Sequence, residues 1–217
     1  MTISDIKSKA RQLLANQWGK SVFLVVIFFA IQIFLVNGIK IALYGGFEAW
    51  QDPYSNSSEA ELFGFIMNIL LTPMSLAFVW FFLELSRGKD AKISSLFSIY
   101  TEPARCGKII ITCILEGIYV FLWSLLLIIP GIIKALSYSQ TYYILKDHPE
   151  LSPNEVITAS KTRMQGKKGK YFLLNLSFIG WSFLCILTLG LGFLWLVPYI
   201  STSLAVFYEQ EIAEKFE

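Results

Sequence analysis

Charge is scarce in this chain. Asp, Glu, Lys and Arg make up 16% of its 217 residues, against about 25% in soluble domains, and a wetted surface is hard to cover with so little. Histidine occurs once, as His148 in a turn-like Asp147-His148-Pro149, so no zinc site can be assembled and no metal is expected. The three cysteines, Cys106, Cys113 and Cys185, lie in or beside apolar stretches, and an odd number so placed excludes a disulfide framework. Neither a Gly-x-Ser-x-Gly elbow nor a His-Glu-x-x-His helix is present, which removes the usual hydrolase signatures. Gly166-Lys167-Lys168-Gly169-Lys170 lacks the upstream glycine and the following Ser or Thr of a phosphate loop. With a net charge of only +2 there is no basic field to recruit nucleic acid. These absences describe a protein expected to be no enzyme and to hold no cofactor.

What is abundant is apolar surface. AVILMFWYC residues reach 55%, and uncharged runs cover 21–39, 62–83 and 171–208. A membrane span needs about 20 mostly apolar residues. The last run would make a helix longer than a bilayer and must fold back; Thr188-Leu189-Gly190-Leu191-Gly192 supplies the reversal, with Gly190 and Gly192 at its apex. Residues 108–145 pose the same problem and carry Pro130-Gly131 near their middle. A kink in one long helix competes with a second reversal there. Charge favours the reversal. With six spans, 16 of the 18 basic residues face one side, whereas five spans would put the cluster from Lys161 to Lys170 on the other, against the positive-inside bias.

The fold expected is therefore all-α: a polytopic transmembrane helical bundle of about six spans with short amphipathic cytoplasmic helices, forming a single membrane domain over 1–217. It comprises a cytoplasmic interfacial helix in 1–20, spans at 21–44, 62–85, 108–129, 131–146, 171–188 and 192–209, and a cytoplasmic basic connector at 147–170. The loop at 41–61 carries Glu48, Asp52, Glu59 and Glu61 and no Lys or Arg, as suits the outer side. Asn56-Ser57-Ser58 matches a glycosylation acceptor, too short a motif to carry weight. The two hairpins read as copies: Lys108 precedes Gly131 by 23 residues and Lys170 precedes Gly192 by 22, and a tyrosine, Tyr138 or Tyr199, follows each glycine by seven.

In the N-terminal stretch Ile6, Ala10, Leu13 and Leu14 share one helical face, suiting either an interfacial helix or a solvated helix packed on the protein's own loops. Ser152-Pro153-Asn154-Glu155 is a capping box that opens a helix in the connector. Lys161, Arg163, Lys167, Lys168 and Lys170 form the densest basic patch and a candidate contact for anionic phospholipid; positive-inside topology alone also calls for basic loops. Inside the membrane, Glu116 is the costly group. With Lys134, Tyr138, Tyr142 and Tyr199 it defines a candidate polar cleft, against the ordinary use of hydroxyls as interhelical glue. Lys40 and Lys134 are expected to snorkel outward.

The segment Ile129-Pro130-Gly131-Ile132-Ile133-Lys134-Ala135-Leu136-Ser137-Tyr138-Ser139, continued through Ser152 to Glu155, Ser160-Lys161, Leu176-Ser177-Phe178-Ile179-Gly180-Trp181, Leu187 to Gly192, Pro198-Tyr199 and Ala205-Val206-Phe207-Tyr208, resembles the family of bacterial integral membrane proteins called domain of unknown function 975. More distantly, the Pro-Gly hairpin and the basic helix resemble membrane domains attached to some bacterial glycerophosphodiester phosphodiesterases. The resemblance implies a multispanning bacterial protein of the plasma membrane without an established activity. The expected role is an envelope or accessory-subunit function, with the lipid bilayer, a membrane-protein partner or a second copy as partners and both termini cytoplasmic. The alternative is a small-molecule or lipid carrier using the cleft.

Overall fold

The computed structural model describes residues 1–52 and 57–213; Asn56 of the acceptor motif and Lys215 lie outside them. Every regular element among the described residues is helical. Four helical stretches are long and apolar enough to cross a membrane: Trp18–Leu43, Ser58–Ser86, Pro103–Leu126 and Lys168–Leu187. Two segments expected as spans are not among them: 131–146 is broken at Ser139-Gln140, and 192–209 carries Pro198, Ser201, Thr202, Ser203 and Glu209 among its apolar residues.

α1 (Ile3–Leu14) opens on a Thr2–Asp5 capping box. The first long helix follows as α2 (Trp18–Phe29), a π-helical turn (Ala30–Leu35) and α3 (Val36–Leu43). A short α4 (Phe47–Gln51) precedes α5 (Ser58–Ser86). The two long helices run antiparallel, as the pairs Lys20–Asp90 (2.6 Å), Gln32–Ser75 (3.2 Å) and Lys40–Glu61 (2.9 Å) show. Lys40 thus meets a carboxylate instead of snorkelling free. Pro73 lies inside α5, where it removes a backbone donor; the nearby Leu70 carbonyl accepts the Tyr100 hydroxyl at 2.8 Å.

After α6 (Ser95–Ser98) and a 3-10 turn come α7 (Pro103–Leu126) and α8 (Ile128–Tyr138), which form the first hairpin. The reversal falls at Leu127, the one extended residue between them (φ −163°, ψ 148°). This corrects the apex read from sequence: Pro130 and Gly131 lie in the first turns of α8, where a missing donor costs nothing. Contacts that mirror across Leu127, Tyr119 with Tyr138 and Lys108 with the Pro149 carbonyl, make it a turn and not a kink.

α8 stops at Tyr138, and α9 (Thr141–Asp147) resumes after Ser139-Gln140. The break frees backbone groups that α10 (Pro153–Arg163) satisfies: the Ser160 hydroxyl donates to the Ser137 carbonyl (2.9 Å) and accepts the Gln140 N–H (3.2 Å). α10 starts on the Ser152–Glu155 capping box and buries Val156, Ile157 and Ser160.

The second hairpin is α11 (Lys168–Leu176), α12 (Ile179–Leu187) and α13 (Phe193–Glu211). It turns through Leu189 (φ 53°) and Gly190 (φ 87°), so the Gly-rich apex stands where the sequence puts it. α11 and α12 part at Ser177-Phe178, and the Ser177 carbonyl there accepts Lys7 Nζ of α1 at 3.3 Å.

The buried core gathers at one end of the molecule. The second half of α5, from Met74 to Leu85, is mostly buried, whereas Leu62, Phe65, Ile66 and Leu70 in its first half are exposed. At the core end Arg87 holds Asp147 through two bonds (2.8 and 2.6 Å) and Glu209 through one (2.8 Å), and Tyr208 donates to Asp147 at 2.7 Å. α1 runs antiparallel to α13 against this core: Met1 N lies 4.0 Å from Glu211, and Lys7 Nζ stands 4.3 Å from the Phe178 ring and 6.0 Å from that of Tyr199. The apolar face read from the sequence is the one that packs here, with Ile6, Ala10 and Leu14 fully buried.

Candidate lipid-contact site

The first hairpin places a cationic cluster beside its apolar tip. Lys134 Nζ stands 4.1 Å from the centre of the Trp123 ring, a cation–π contact that holds the ammonium at the hairpin's flank. Trp123, Lys134, Tyr138 and Lys161 line one cavity of about 370 Å³, and Lys168 is near enough for its charge to act on Lys134. A hydrogen bond from Tyr119 to Asn154 Oδ1 (2.9 Å) ties α7 to the start of α10 along the same face. Lys134 therefore joins the basic connector instead of snorkelling to the far side.

The five basic residues proposed from sequence do not act as one patch. Lys161 lines the same cavity as Lys134, and Lys168 lies within electrostatic reach of it. Lys170 is bonded to Glu211, and Arg163 turns inward toward Asp147 and Tyr208. Lys167 lies near Glu211.

Nor do the five cleft residues share one cavity. Glu116 on α7 faces Tyr142 and Thr141 of α9, and its Oε2 is enclosed without a hydrogen bond. Tyr138 and Lys134 line the lysine cavity. Tyr199 belongs to the second hairpin, where it packs edge-on against Phe178 at 5.2 Å. It lines a separate apolar cavity of about 380 Å³ with Arg11, Trp18, Trp181, Cys185 and Trp195. Three tryptophans and an arginine around an apolar slot suit an acyl chain with an anionic head near its mouth. Among the described residues no group of acidic, His or Cys side chains is arranged to hold a metal.

The sequence does not mark Trp123 as part of the site, and it does not show what Ser160 bonds. Trp123 had a signal, a tryptophan short of an apolar reversal. Ser160 had little, since a serine on a buried helical face reads as filler until the broken helix opposite is seen.

No curated protein and no solved structure matches the chain, and the distant likeness to phosphodiesterase membrane domains finds no support. The family described as "Protein of unknown function (DUF975)" matches residues 1–137 and 125–215, nearly the whole length, and the chain belongs to that family.

Proposed function

We propose that this is a non-enzymatic, multi-pass protein of the bacterial plasma membrane, with six membrane-embedded helical segments, both termini cytoplasmic, and an envelope or accessory role exercised through anionic phospholipid. The observation that carries the reading is the Lys134–Trp123–Lys161 cavity, with Lys168 within electrostatic reach of it. Cations gathered without a carboxylate lining the same cavity, next to an exposed apolar tip, suit a lipid phosphate whose chains lie along the hairpin. Each lysine contributes about 1 kcal/mol near an anionic surface.

The test is retention of fluorescent phosphatidylglycerol and phosphatidylcholine by the purified protein across a salt series. The intact chain should prefer the anionic lipid, less so as salt rises. Lys134→Gln with Lys161→Gln and Lys168→Gln should lower that preference roughly 100-fold. Equal retention by the triple variant would refute the proposal.

A second reading, a small carrier, rests on the enclosed Glu116 Oε2 facing Tyr142 and Thr141. A carboxylate at such a place is costly unless a proton or cation visits it. If Glu116→Gln leaves uptake or resistance unchanged and a cysteine at 116 is closed to aqueous reagents, that reading fails.

A further inference from the structure

The outer loop of the α2–α3/α5 pair and the tips of the two hairpins differ in kind. The loop carries Glu48, Asp52, Glu59 and Glu61, as a loop that emerges into water should. From Leu125 to Ile133 and from Phe183 to Trp195 there is no charged residue, and Thr188 is the only side chain with a hydroxyl or amide. These tips are bare: Leu127 is 68% exposed, Ile128 77%, Leu187 80% and Leu189 96%.

The second tip also pairs its own backbone N–H groups. The N–H groups of Thr188 and Gly190 both reach the Cys185 carbonyl, that of Leu189 reaches Ile186, that of Leu191 reaches Thr188, and that of Phe193 reaches Gly190. The Thr188 hydroxyl donates to Cys185 and accepts the Gly192 N–H at 2.9 Å. The first tip is less complete: Leu127 donates to Trp123 and Gly131 to Leu127, and Pro130 removes one of the donors that a helix start leaves open, while the N–H groups of Ile128 and Ile129 have no backbone partner among the described residues.

One arm of each hairpin is interrupted, at Ser139-Gln140 in the first and at Ser177-Phe178 in the second. Both breaks free polar backbone and are patched by a helix outside the hairpin, Ser160 of α10 at the first and Lys7 of α1 at the second. Both lie beside an aromatic pair, Tyr119–Tyr138 and Phe178–Tyr199. α1 exposes Asp5, Arg11 and Gln12 and α10 exposes Thr158, Lys161 and Thr162, polar side chains that suit a level near the headgroups. From Tyr138 back to Leu127 is eleven residues, and from Phe178 on to Leu189 is also eleven, about 16 Å of helix in each case. That is close to half of a hydrocarbon core of about 30 Å and well short of the whole.

We infer that the two hairpins are re-entrant: they enter and leave on the face that carries the chain ends, and their tips stop near the bilayer midplane among the acyl chains of that leaflet, so that only the α2–α3/α5 pair crosses. α7 and α11–α12 are long enough to cross only if their lower turns, packed against α10, α5 and α1, are counted as membrane. The sidedness of both termini and of the basic connector is the same for re-entrant and crossing hairpins. The inference rests on depth and not on the lipid charge preference proposed above.

The test is depth-resolved fluorescence quenching in vesicles of phosphatidylcholine alone, which removes any dependence on anionic lipid. Bimane is attached to L127C or L189C of a chain with Cys106, Cys113 and Cys185 replaced by serine, and spin-labelled lipids carry the quencher high or low on the acyl chain. Quenching at both tips should be at least twofold stronger from the deep label. Stronger quenching from the shallow label, labelling of either cysteine by an impermeant maleimide from the far side, or a bimane shielded from both quenchers by a second copy would each overturn the inference. Hydrogen exchange of the unmodified chain in the same vesicles guards against misfolded variants: amides of 125–129 and 187–191 should exchange slowly, and fast exchange there would contradict the placement.

Discussion

Gly131 is packed so closely on Ser124, seven residues earlier, that a Cβ on the glycine would sit 2.9 Å from the Ser124 Cα and closer still to its hydroxyl. Gly192 stands in the same relation to Cys185, also seven residues earlier, at 3.0 Å from its Cα and 2.7 Å from its sulfur. Each glycine is followed seven residues on by a tyrosine that meets an aromatic ring of the opposite arm. The spacing that marks the hairpins as copies in the sequence is thus a shared way of closing two helices onto each other.

Gly131→Ala and Gly192→Ala should each destabilise the protein by about 1–3 kcal/mol, because the new methyl meets backbone that must shift. Gly117→Ala on α7 has open space around it and should be neutral or stabilising by up to about 1 kcal/mol. Thermal unfolding in detergent, followed by intrinsic fluorescence, checks the contrast. Equal melting of all three would show that the hairpin arms are not in contact.

Ser160→Ala strands the Ser137 carbonyl and the Gln140 N–H together. A cost of about 1–3 kcal/mol is expected, as for any buried backbone group left unpaired, with faster proteolysis of the connector as α10 loosens. Ser160→Thr keeps the hydroxyl and should recover part of the loss. Denaturant titration of the purified variants measures both.

Arg87 is the common partner of Asp147 and Glu209 at the core end. Arg87→Met leaves two partly buried carboxylates without their cation and should cost on the order of 2–3 kcal/mol. Burial pushes the Asp147 carboxyl up, but the bonds from Arg87 and Tyr208 outweigh it and hold its pKa below the usual aspartate value. A carboxyl depressed by folding adds stability above its unfolded pKa of about 3.9 and loses it as pH falls through the folded value. Melting temperature should therefore drop below about pH 4, and Arg87→Met should flatten that drop. An unchanged acid limb in the variant would mean that the ion group is not formed.

Much of this arrangement is legible in the sequence. Uncharged runs mark the apolar helices, glycines at 190 and 192 mark the second turn, and Ser152 with Glu155 marks the start of α10. The first reversal stands at Leu127, three residues before the Pro130 that the sequence offers for it, because proline is as well suited to the first turn of a helix as to a loop. The interruption at Ser139-Gln140 leaves no mark, since Ser, Gln and Thr are tolerated inside apolar helices and the group that repairs the break lies twenty residues away. The candidate cleft failed to form as a unit for a related reason. Tyr138 and Tyr199 occupy equivalent places in two copies, and equivalence in a repeat puts residues in separate hairpins instead of in one site.

The measurement that tests the account most directly is sidedness in intact bacterial cells. Single cysteines at Glu48 in the acidic loop and at Gln165 in the basic connector, both exposed, are treated with an impermeant maleimide before and after permeabilisation. Position 48 should react in intact cells and position 165 only once the membrane is opened. Reaction at 165 from outside would place the lysine-rich face in the wrong compartment and contradict the account.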